Sequence, residues 1–313
     1  MNALPGQRQG PADGSVTVPA DVSGQAPGRE GYLDAHVHFW DPDRLHYPWL
    51  ATVPPLNRPF LPGDLRDAGA APDGVIAIEA DRIRDDALAE AAWLSSIGLP
   101  DQPVAGIVAH VPLEQGAPCA EQLARLGSNP LVVGVRRLLQ DKQAGFTTDP
   151  GLVAGVALLA TAGTAFDVCI RRHQLAEVTG LVRRLPGVLF VLDHLGKPEI
   201  SPRGLRSWAP DLGALAKLAN VRCKLSGLAT EADPDHRTPE DLMPFLRHAL
   251  DAFGPARCMF GSDWPVLTLA MGYGQWLDVV REACSDLSAD ERDLVMRRTA
   301  QGVYGTGTAR KEI

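Results

Sequence analysis

Residues 175–198, LAEVTGLVRRLPGVLFVLDHLGKP, contain one complete helix-to-strand unit. The first half repeats apolar side chains at the three- and four-residue spacing of an amphipathic helix. Pro186 and Gly187 end that pattern, and an uninterrupted apolar run follows over residues 188–192. Because apolar strands without alternation are typical of sheets buried on both faces, this unit predicts a parallel sheet covered by helices.

The same unit recurs along the chain. Eight short apolar runs, rich in β-branched residues, are each bounded by turn residues, and a segment with helical periodicity follows most of them. Their starts are about 25 to 40 residues apart, the length of one strand, one helix and two loops. We predict strands at residues 32–38, 74–79, 104–111, 131–135, 165–170, 188–192, 221–225 and 257–260.

Start and stop signals support the helices between these runs. Thr238 is a residue type favoured at a helix N-cap, and Pro239 follows it at the first helical position. An apolar stripe with helical spacing then continues until Gly254, which predicts a helix between these residues.

Eight βα units match the size of a single (β/α)8 TIM barrel, and a doubly wound sheet is the alternative arrangement. A glycine-rich dinucleotide-binding motif follows none of the eight runs, which favours the barrel. We therefore assign residues 32–313 to a (β/α)8 barrel. Residues 1–31, rich in Gly, Pro, Ala and Asp, are expected to form a flexible N-terminal leader.

Composition and net charge limit the classes of partner that the protein can bind. Among 313 residues, 38 acidic side chains outweigh 30 basic ones, and the net charge of −8 disfavours a broad contact with nucleic acid or an anionic membrane. The chain has no apolar window of about 18 residues, and its N-terminus lacks a secretory signal. Five cysteines without a CxxC pair are interpreted as reduced packing residues. These features predict a cytoplasmic protein and leave its oligomeric state open.

Polar residues at the strand ends identify the candidate site, since the carboxyl ends of barrel strands carry the chemistry. His36 and His38 are two positions apart on the first strand, so both side chains face the same side. His194 ends the sixth run and Asp263 the eighth. Three imidazoles and a carboxylate can bind one Zn²⁺ or Mn²⁺, although histidines that only form hydrogen bonds with neighbouring loops are the alternative.

Further strand ends add candidate substrate-binding groups. Glu79 closes the second run, His110 lies at the third, and Arg136 and Arg137 follow the fourth. Because adjacent strand positions alternate, one arginine of the pair is expected to face the site and the other to pack outward. An inward Arg136 needs a carboxylate or an oxygen-rich ligand, so it either binds substrate or forms an ion pair with Glu79 that ties two strands together.

Five motifs occur together in one order: residues 34–41 (DAHVHFWD), 47–50 (YPWL), 192–198 (LDHLGKP), 224–228 (KLSGL) and 261–265 (GSDWP). Together they resemble the amidohydrolase superfamily. More narrowly, they are similar to its lactonase branch, which includes sugar-lactone hydrolases acting on L-fucono- and L-rhamnonolactone and the pyrone dicarboxylate lactonase.

The resemblance implies a distorted (β/α)8 barrel that hydrolyses a small-molecule lactone. It places His36, His38 and Asp263 at the centre of the site, with His194 as the later histidine. The superfamily's bridging lysine or glutamate and its additional histidine are missing, because arginine pairs end the fourth and fifth runs. A two-metal centre is therefore not expected. The lactonase branch includes members with one divalent ion and members with none, so a metal-independent site stays open.

Our mechanistic hypothesis gives Asp263 the role of the base that activates water. The three histidines, or a metal ion that they hold, would stabilise the oxyanion. We expect Arg136 to hold a substrate oxygen and Trp40 to cover one ring face, while Lys197 is either a substrate contact or a solvated turn residue. Three alternatives stay open: a dicarboxylate lactone hydrolase, a metal-dependent decarboxylase of the same superfamily, and a sugar-acid binding protein without activity.

Overall fold

The computed structural model describes residues 31–306, so the predicted leader, apart from Gly31, lies outside the described residues. Eight strands follow one another around a sheet in chain order, and each pairs in parallel with the next. This order confirms the predicted (β/α)8 barrel. The strands are β1 (Leu33–Val37), β2 (Gly74–Ile78), β3 (Val104–His110), β4 (Val132–Leu138), β5 (Ala165–Cys169), β6 (Phe190–Leu192), β7 (Val221–Leu225) and β8 (Cys258–Phe260).

Helices follow each of the eight strands. The C-terminal part of the chain adds two more helices, which are joined by a π-helical segment at Leu294–Arg298. No helix between residues 31 and 306 is long and apolar enough to cross a membrane. The helices are α1 (Pro62–Asp67), α2 (Ala87–Leu94), α3 (Cys119–Gly127), α4 (Pro150–Ala162), α5 (Leu175–Arg184), α6 (Pro202–Ala216), α7 (Pro239–Phe253), α8 (Tyr273–Ala283), α9 (Ala289–Asp293) and α10 (Thr299–Tyr304).

Helix α7 shows how local sequence sets the helix bounds. The Thr238 hydroxyl accepts a hydrogen bond from the Asp241 backbone N–H, and the Asp241 carboxylate accepts one from the Thr238 backbone N–H. Each group therefore satisfies an N–H that the helix itself leaves without a partner. Gly254, with φ +74°, ends the helix as predicted. The apolar stripe is buried, at Leu242, Phe245, Leu246, Ala249, Leu250 and Phe253.

The seam of the barrel brings the ends of β1 and β8 together. The backbone N–H of His38 donates to the Trp264 carbonyl over 2.7 Å, and that of Asp263 donates to the His36 carbonyl over 2.8 Å. Val37 also forms a parallel bridge with Trp264. Barrel closure therefore places the two histidines of β1 beside the aspartate that follows β8.

An irregularity in β1 turns those histidines inward. The register of β1 against β2 shifts between Asp34 and Val37. Asp34 faces α8, where its carboxylate accepts a hydrogen bond from the Tyr273 hydroxyl over 2.9 Å. The same carboxylate accepts from the backbone N–H groups of His36 and Ser262, at 3.1 and 2.9 Å. Asp34 thus fixes the geometry of the seam directly beneath the candidate site.

Strand β4 extends further than its apolar run. Arg136 and Arg137 lie inside the strand, paired with Asp167 and Val168 of β5, because backbone pairing continues after the apolar side chains end. Arg136 is buried, whereas Arg137 forms an ion pair with Glu114 at 2.8 Å. The two arginines therefore point to different surroundings, as expected from strand alternation.

The core lies mainly between the barrel and its helices, with a second apolar cluster that includes Leu33, Ile78, Val108 and Met259. Tyr304 of α10 belongs to that cluster and donates a hydrogen bond from its hydroxyl to Asp167. All five cysteines are free and buried, and four of them belong to the main apolar cluster, as expected for packing residues, whereas Cys169 lies outside it.

Candidate active site

Asp263 lies among the three predicted histidines. Its Oδ1 atom is 3.5 Å from His38 Nε2, 3.7 Å from His36 Nε2 and 4.0 Å from His194 Nε2. All four side chains are buried. The structure therefore brings together, from the ends of β1, β6 and β8, the four residues that the sequence predicts as the catalytic set.

The backbone at these positions is left-handed. His194 has φ 51° and Asp263 has φ 62°, a conformation that costs a non-glycine residue about 1–2 kcal/mol. Gly227, after β7, has φ +60°, and a Cβ atom there would collide with the His194 ring and lie 3.1 Å from Asp263 Oδ2. A glycine at this turn therefore makes room for both side chains.

Hydrogen bonds on the far side of each ring orient two of the histidines. His38 Nδ1 lies 3.0 Å from the Ile78 carbonyl oxygen, which can only accept, so Nδ1 carries the proton. His38 Nε2 then faces Asp263 and His36. His194 Nδ1 lies 3.0 Å from the Ser226 hydroxyl, which places His194 Nε2 on the Asp263 side.

His36 has two charged neighbours behind it. Its Nδ1 atom is 3.1 Å from the Lys224 ammonium and 3.3 Å from Asp193 Oδ1. Lys224 can donate to an unprotonated Nδ1, whereas Asp193 can accept from a protonated one. The Nε2 atoms of His36 and His38 are 3.1 Å apart. The tautomer of His36 therefore decides whether its Nε2 presents a proton or a lone pair to the site.

Lys224 and Asp193 belong to a buried charge network beneath the site. Lys224 Nζ is 3.1 Å from Asp193 and also binds Asp167. Arg136 Nε donates to Glu79 over 2.7 Å, and Arg136 Nη1 lies 3.7 Å from Asp193. Each buried charge has an opposite charge beside it, which offsets the cost of removing these groups from water.

Burial and neighbouring groups set the charges within the site. Burial raises the pKa of Asp263, but His194, His38 and His36 outweigh it and hold that pKa well below its usual range. Burial and the Lys224 ammonium lower the pKa of His36 well below its ordinary value, and burial lowers the pKa of His194 to about 4. At neutral pH the Asp263 carboxylate is therefore ionised, and the His36 and His194 imidazoles are neutral.

A cavity of about 280 Å³ opens above these side chains. Two indoles form part of its wall, and their ring centroids are 5.2 Å apart. Trp40 Nε1 donates to the carbonyls of Leu56 and Arg58, and Trp49 Nε1 donates to the Ala80 carbonyl over 2.8 Å. These bonds hold both rings in place, so the wall is rigid and aromatic.

The predicted substrate-binding residues occupy different places. Trp40, Arg136 and Lys197 line the cavity, and Lys197 forms an ion pair with Glu231 at 3.3 Å. Glu79 is fully buried behind the cavity wall, where it pairs with Arg136, and His110 is also buried. Neither Glu79 nor His110 is among the residues that line the cavity in the described part of the chain.

The donor atoms fit a single divalent cation. One ligand atom each from His36, His194 and Asp263 lies within 4.8 Å of the others, and His38 Nε2 adjoins this group. Cys169, Asp193 and His194 form a second such group. Its carboxylate already lies between the positive charges of Arg136 and Lys224, so the first group is better suited to bind a metal ion.

Sequence reasoning missed the supporting residues. It did not assign roles to Asp34, Asp167 or Asp193, whose hydrogen bonds and charges fix the seam, Lys224 and His36. It also did not single out Asp81 or Gln140, which line the cavity. Their positions in the sequence could have identified two of them as site residues, because Asp193 directly precedes His194 and Asp81 follows the end of β2.

Residues 33–306 match a family model whose description is Amidohydrolase. An L-fucono-1,5-lactonase from Burkholderia multivorans is 37% identical over 290 residues, which cover 87% of this chain and 95% of that protein. An L-fucono-1,5-lactonase from Burkholderia ambifaria is 31% identical over 280 residues, covering 87% of this chain and 94% of that protein.

Among solved structures, an amidohydrolase from Burkholderia multivorans with bound zinc is similar to this chain. The TM-score is 0.78 and the sequence identity 35%, and the match covers 88% of this chain and 99% of that one. The similarity therefore extends over nearly all of the barrel.

Proposed function

The chain belongs to the amidohydrolase family, and from this premise we propose that it hydrolyses a neutral sugar lactone, with Asp263 as the general base. The observation that carries the proposal is the Asp263 carboxylate among three imidazoles at the floor of a cavity with tryptophan walls. The similarity to two L-fucono-1,5-lactonases supports the same reaction class.

The proposed reaction needs a base that remains ionised. Asp263 takes a proton from water while the water oxygen bonds to the lactone carbonyl carbon. The tetrahedral intermediate then collapses, the bond from that carbon to the ring oxygen breaks, and Asp263 returns its proton to the ring oxygen. The product is an open hydroxy acid. The low pKa of Asp263 keeps its carboxylate ionised at neutral pH.

The histidines are better suited to bind a cation than to donate protons. His38 donates through Nδ1 to Ile78, so in the neutral ring Nε2 is the nitrogen that offers a lone pair to a cation. We propose that His36, His38, His194 and Asp263 hold one divalent ion, Zn²⁺ or Mn²⁺. Such an ion would act as a Lewis acid on the lactone carbonyl.

The charges around the cavity favour a neutral substrate over a dicarboxylate. Arg136 is already matched by Glu79 and Asp193, and Lys197 by Glu231. A substrate carboxylate would have to compete with these buried or partly buried pairs. The partly exposed Trp49 indole, next to the buried Trp40 ring, instead offers a face for the C–H groups of a sugar ring.

A substrate panel tests the proposal. Purified protein is offered aldono-1,5- and 1,4-lactones, muconolactones and pyrone dicarboxylates, and acid release is followed with a pH indicator. We expect hydrolysis of at least one sugar lactone, with kcat/KM at least about tenfold above that for any dicarboxylate. Preference for the dicarboxylates would refute the neutral-substrate proposal, and carbon dioxide release from an aromatic acid would favour a decarboxylase.

A further inference from the structure

Asp81 lies in the turn that follows β2, at the wall of the cavity. The reaction described above gives it no function. The residue is exposed and lines the cavity. Between residues 31 and 306, no hydrogen bond or ion pair joins its carboxylate to another group. This distinguishes it from Glu79, Asp193 and Asp263, whose carboxylates all lie within 4 Å of a cationic group or an imidazole.

The backbone of Asp81 is held in an uncommon conformation. Its φ is 52°, and the other non-glycine residues of the described chain with positive φ are His194, Leu195, Lys197 and Asp263. Those four follow β6 or β8 at the candidate site. Backbone strain of this kind concentrates at functional sites. Asp81 follows β2, yet it lines the same cavity.

A chain of contacts maintains this conformation. The Asp81 backbone N–H donates to Glu79 Oε2 over 3.0 Å, and Glu79 is fixed by its 2.7 Å bond to Arg136. Glu79, predicted as a substrate contact, therefore supports the turn that presents Asp81. Aspartate adopts left-handed backbone more readily than most residues, so the turn retains a charged side chain at limited cost.

The surroundings of Asp81 match the chemistry of a sugar. Trp49 Nε1 donates to the carbonyl of Ala80, which fixes an aromatic ring to the same turn. Gln140 also lines the cavity, and its Oε1 accepts from the Cys169 thiol, so its amide N–H groups are left to donate. The cavity thus combines an aromatic face, an acceptor and a donor.

We propose that Asp81 is a specificity-determining residue whose carboxylate accepts hydrogen bonds from ring hydroxyls of a neutral polyhydroxylated lactone. This inference rests on the proposed function. An ionised carboxylate can accept from two neighbouring hydroxyls at once, and it repels a substrate that carries its own carboxylate. Asp81 binds the substrate and takes no part in bond breaking.

Two variants test the role of Asp81 and keep the turn intact. Asp81→Asn removes the charge, and Asp81→Gly removes the side chain at a φ that glycine adopts freely. Asp85→Asn, at an exposed position in the same loop, is the matched control. The substrates are the preferred sugar lactone of the panel and δ-valerolactone, which has no hydroxyl groups.

We expect Asp81→Gly to raise KM for the sugar lactone by about ten- to hundredfold, the loss typical of a hydrogen bond to a charged group. Asp81→Asn should raise it less, and kcat should stay within about twofold in both variants, since the lost contact is equal in the ground and transition states. With δ-valerolactone, both Asp81 variants should match the wild-type rate. The Asp85→Asn control should match the wild-type rate with both substrates.

Unchanged KM values in both Asp81 variants would overturn the inference and leave the proposed function standing. Equal losses with both substrates would also overturn it, because they indicate a structural role. A wild-type protein that hydrolyses no sugar lactone would instead refute the proposed function. The midpoint temperature of thermal unfolding should be unchanged or higher in Asp81→Gly. A loss of substrate affinity in this variant then cannot be attributed to a loss of stability.

Discussion

The Nε2 atoms of His36 and His38 lie 3.1 Å apart. When His38 is neutral, its Nε2 carries the lone pair, because its Nδ1 donates to the Ile78 carbonyl. The short distance therefore needs either a proton on His36 Nε2 or a cation that both nitrogens share. Lys224 and Asp193 stabilise one tautomer of His36 each, so the pair of histidines is compatible with both states.

Metal removal distinguishes these two states. Treatment with a chelator, checked by elemental analysis, should lower the rate of lactone hydrolysis by about tenfold or more, and added Zn²⁺ or Mn²⁺ should restore it. His38→Asn should reduce the bound metal per chain. Full activity in a metal-free sample would instead assign the histidines to hydrogen bonding alone.

Asp263→Asn tests the general base. The substitution preserves size and removes the ionised oxygen that accepts the proton of water, so kcat should fall by about 10²- to 10⁴-fold. Asp278→Asn, an exposed position on α8, serves as the control and should retain the wild-type rate. Near-wild-type turnover by the Asp263 variant would rule out its role as the base.

Gly227→Ala tests the space beside His194. The new Cβ would collide with the His194 ring and approach Asp263 Oδ2, so hydrolysis should slow about hundredfold, as expected when reacting groups are displaced by about 1 Å. Gly163 has a similar φ of +61° and nothing within 4 Å of the added Cβ. Gly163→Ala should lose about 1–2 kcal/mol of stability and no activity. Equal rates in the two variants would contradict the steric argument.

Burial of neutral His194 predicts an acid-sensitive fold. The unfolded chain protonates this imidazole below its ordinary pKa of 6.5, whereas the folded chain does so only below about 4. The unfolded state therefore binds more protons between these pH values. As the pH is lowered through this range, this residue should decrease the unfolding free energy by up to about 1.4 kcal/mol per pH unit. Urea unfolding of chelator-treated wild type and His194→Gln at several pH values measures the difference, and equal slopes would refute this assignment.

Lys224→Met tests the charge network. The substitution leaves Asp167 and Asp193 without their buried ammonium partner, so the unfolding free energy should fall by about 3–5 kcal/mol. Lys217→Met, at an exposed position after α6, should change it little. Chemical denaturation compares the variants, and a second substitution, Asp167→Asn, should recover part of the loss. A stable single Lys224 variant would contradict the proposed charge balance.

Local sequence patterns account for the fold and for the positions of the candidate catalytic residues. The βα repeat, the bounds of α7 and the positions of His36, His38, His194 and Asp263 at strand ends are all evident in the sequence, because each depends on periodicity or on neighbouring residues. In a parallel barrel, carboxyl ends of strands meet at one face, so these residues could be expected to converge.

Tertiary structure decided which charges are already matched. Arg136 lies 57 positions from Glu79 along the chain, and Lys224 lies 57 from Asp167, so no local pattern reveals either pair. Pairing across strands turns Glu79 from a candidate substrate contact into the support of the Asp81 turn. The sequence by itself thus determined the fold and the strand-end positions of the candidate reacting groups. Only the folded barrel decided which polar side chains are left to contact a substrate, because burial requires each charge to find its partner at long range.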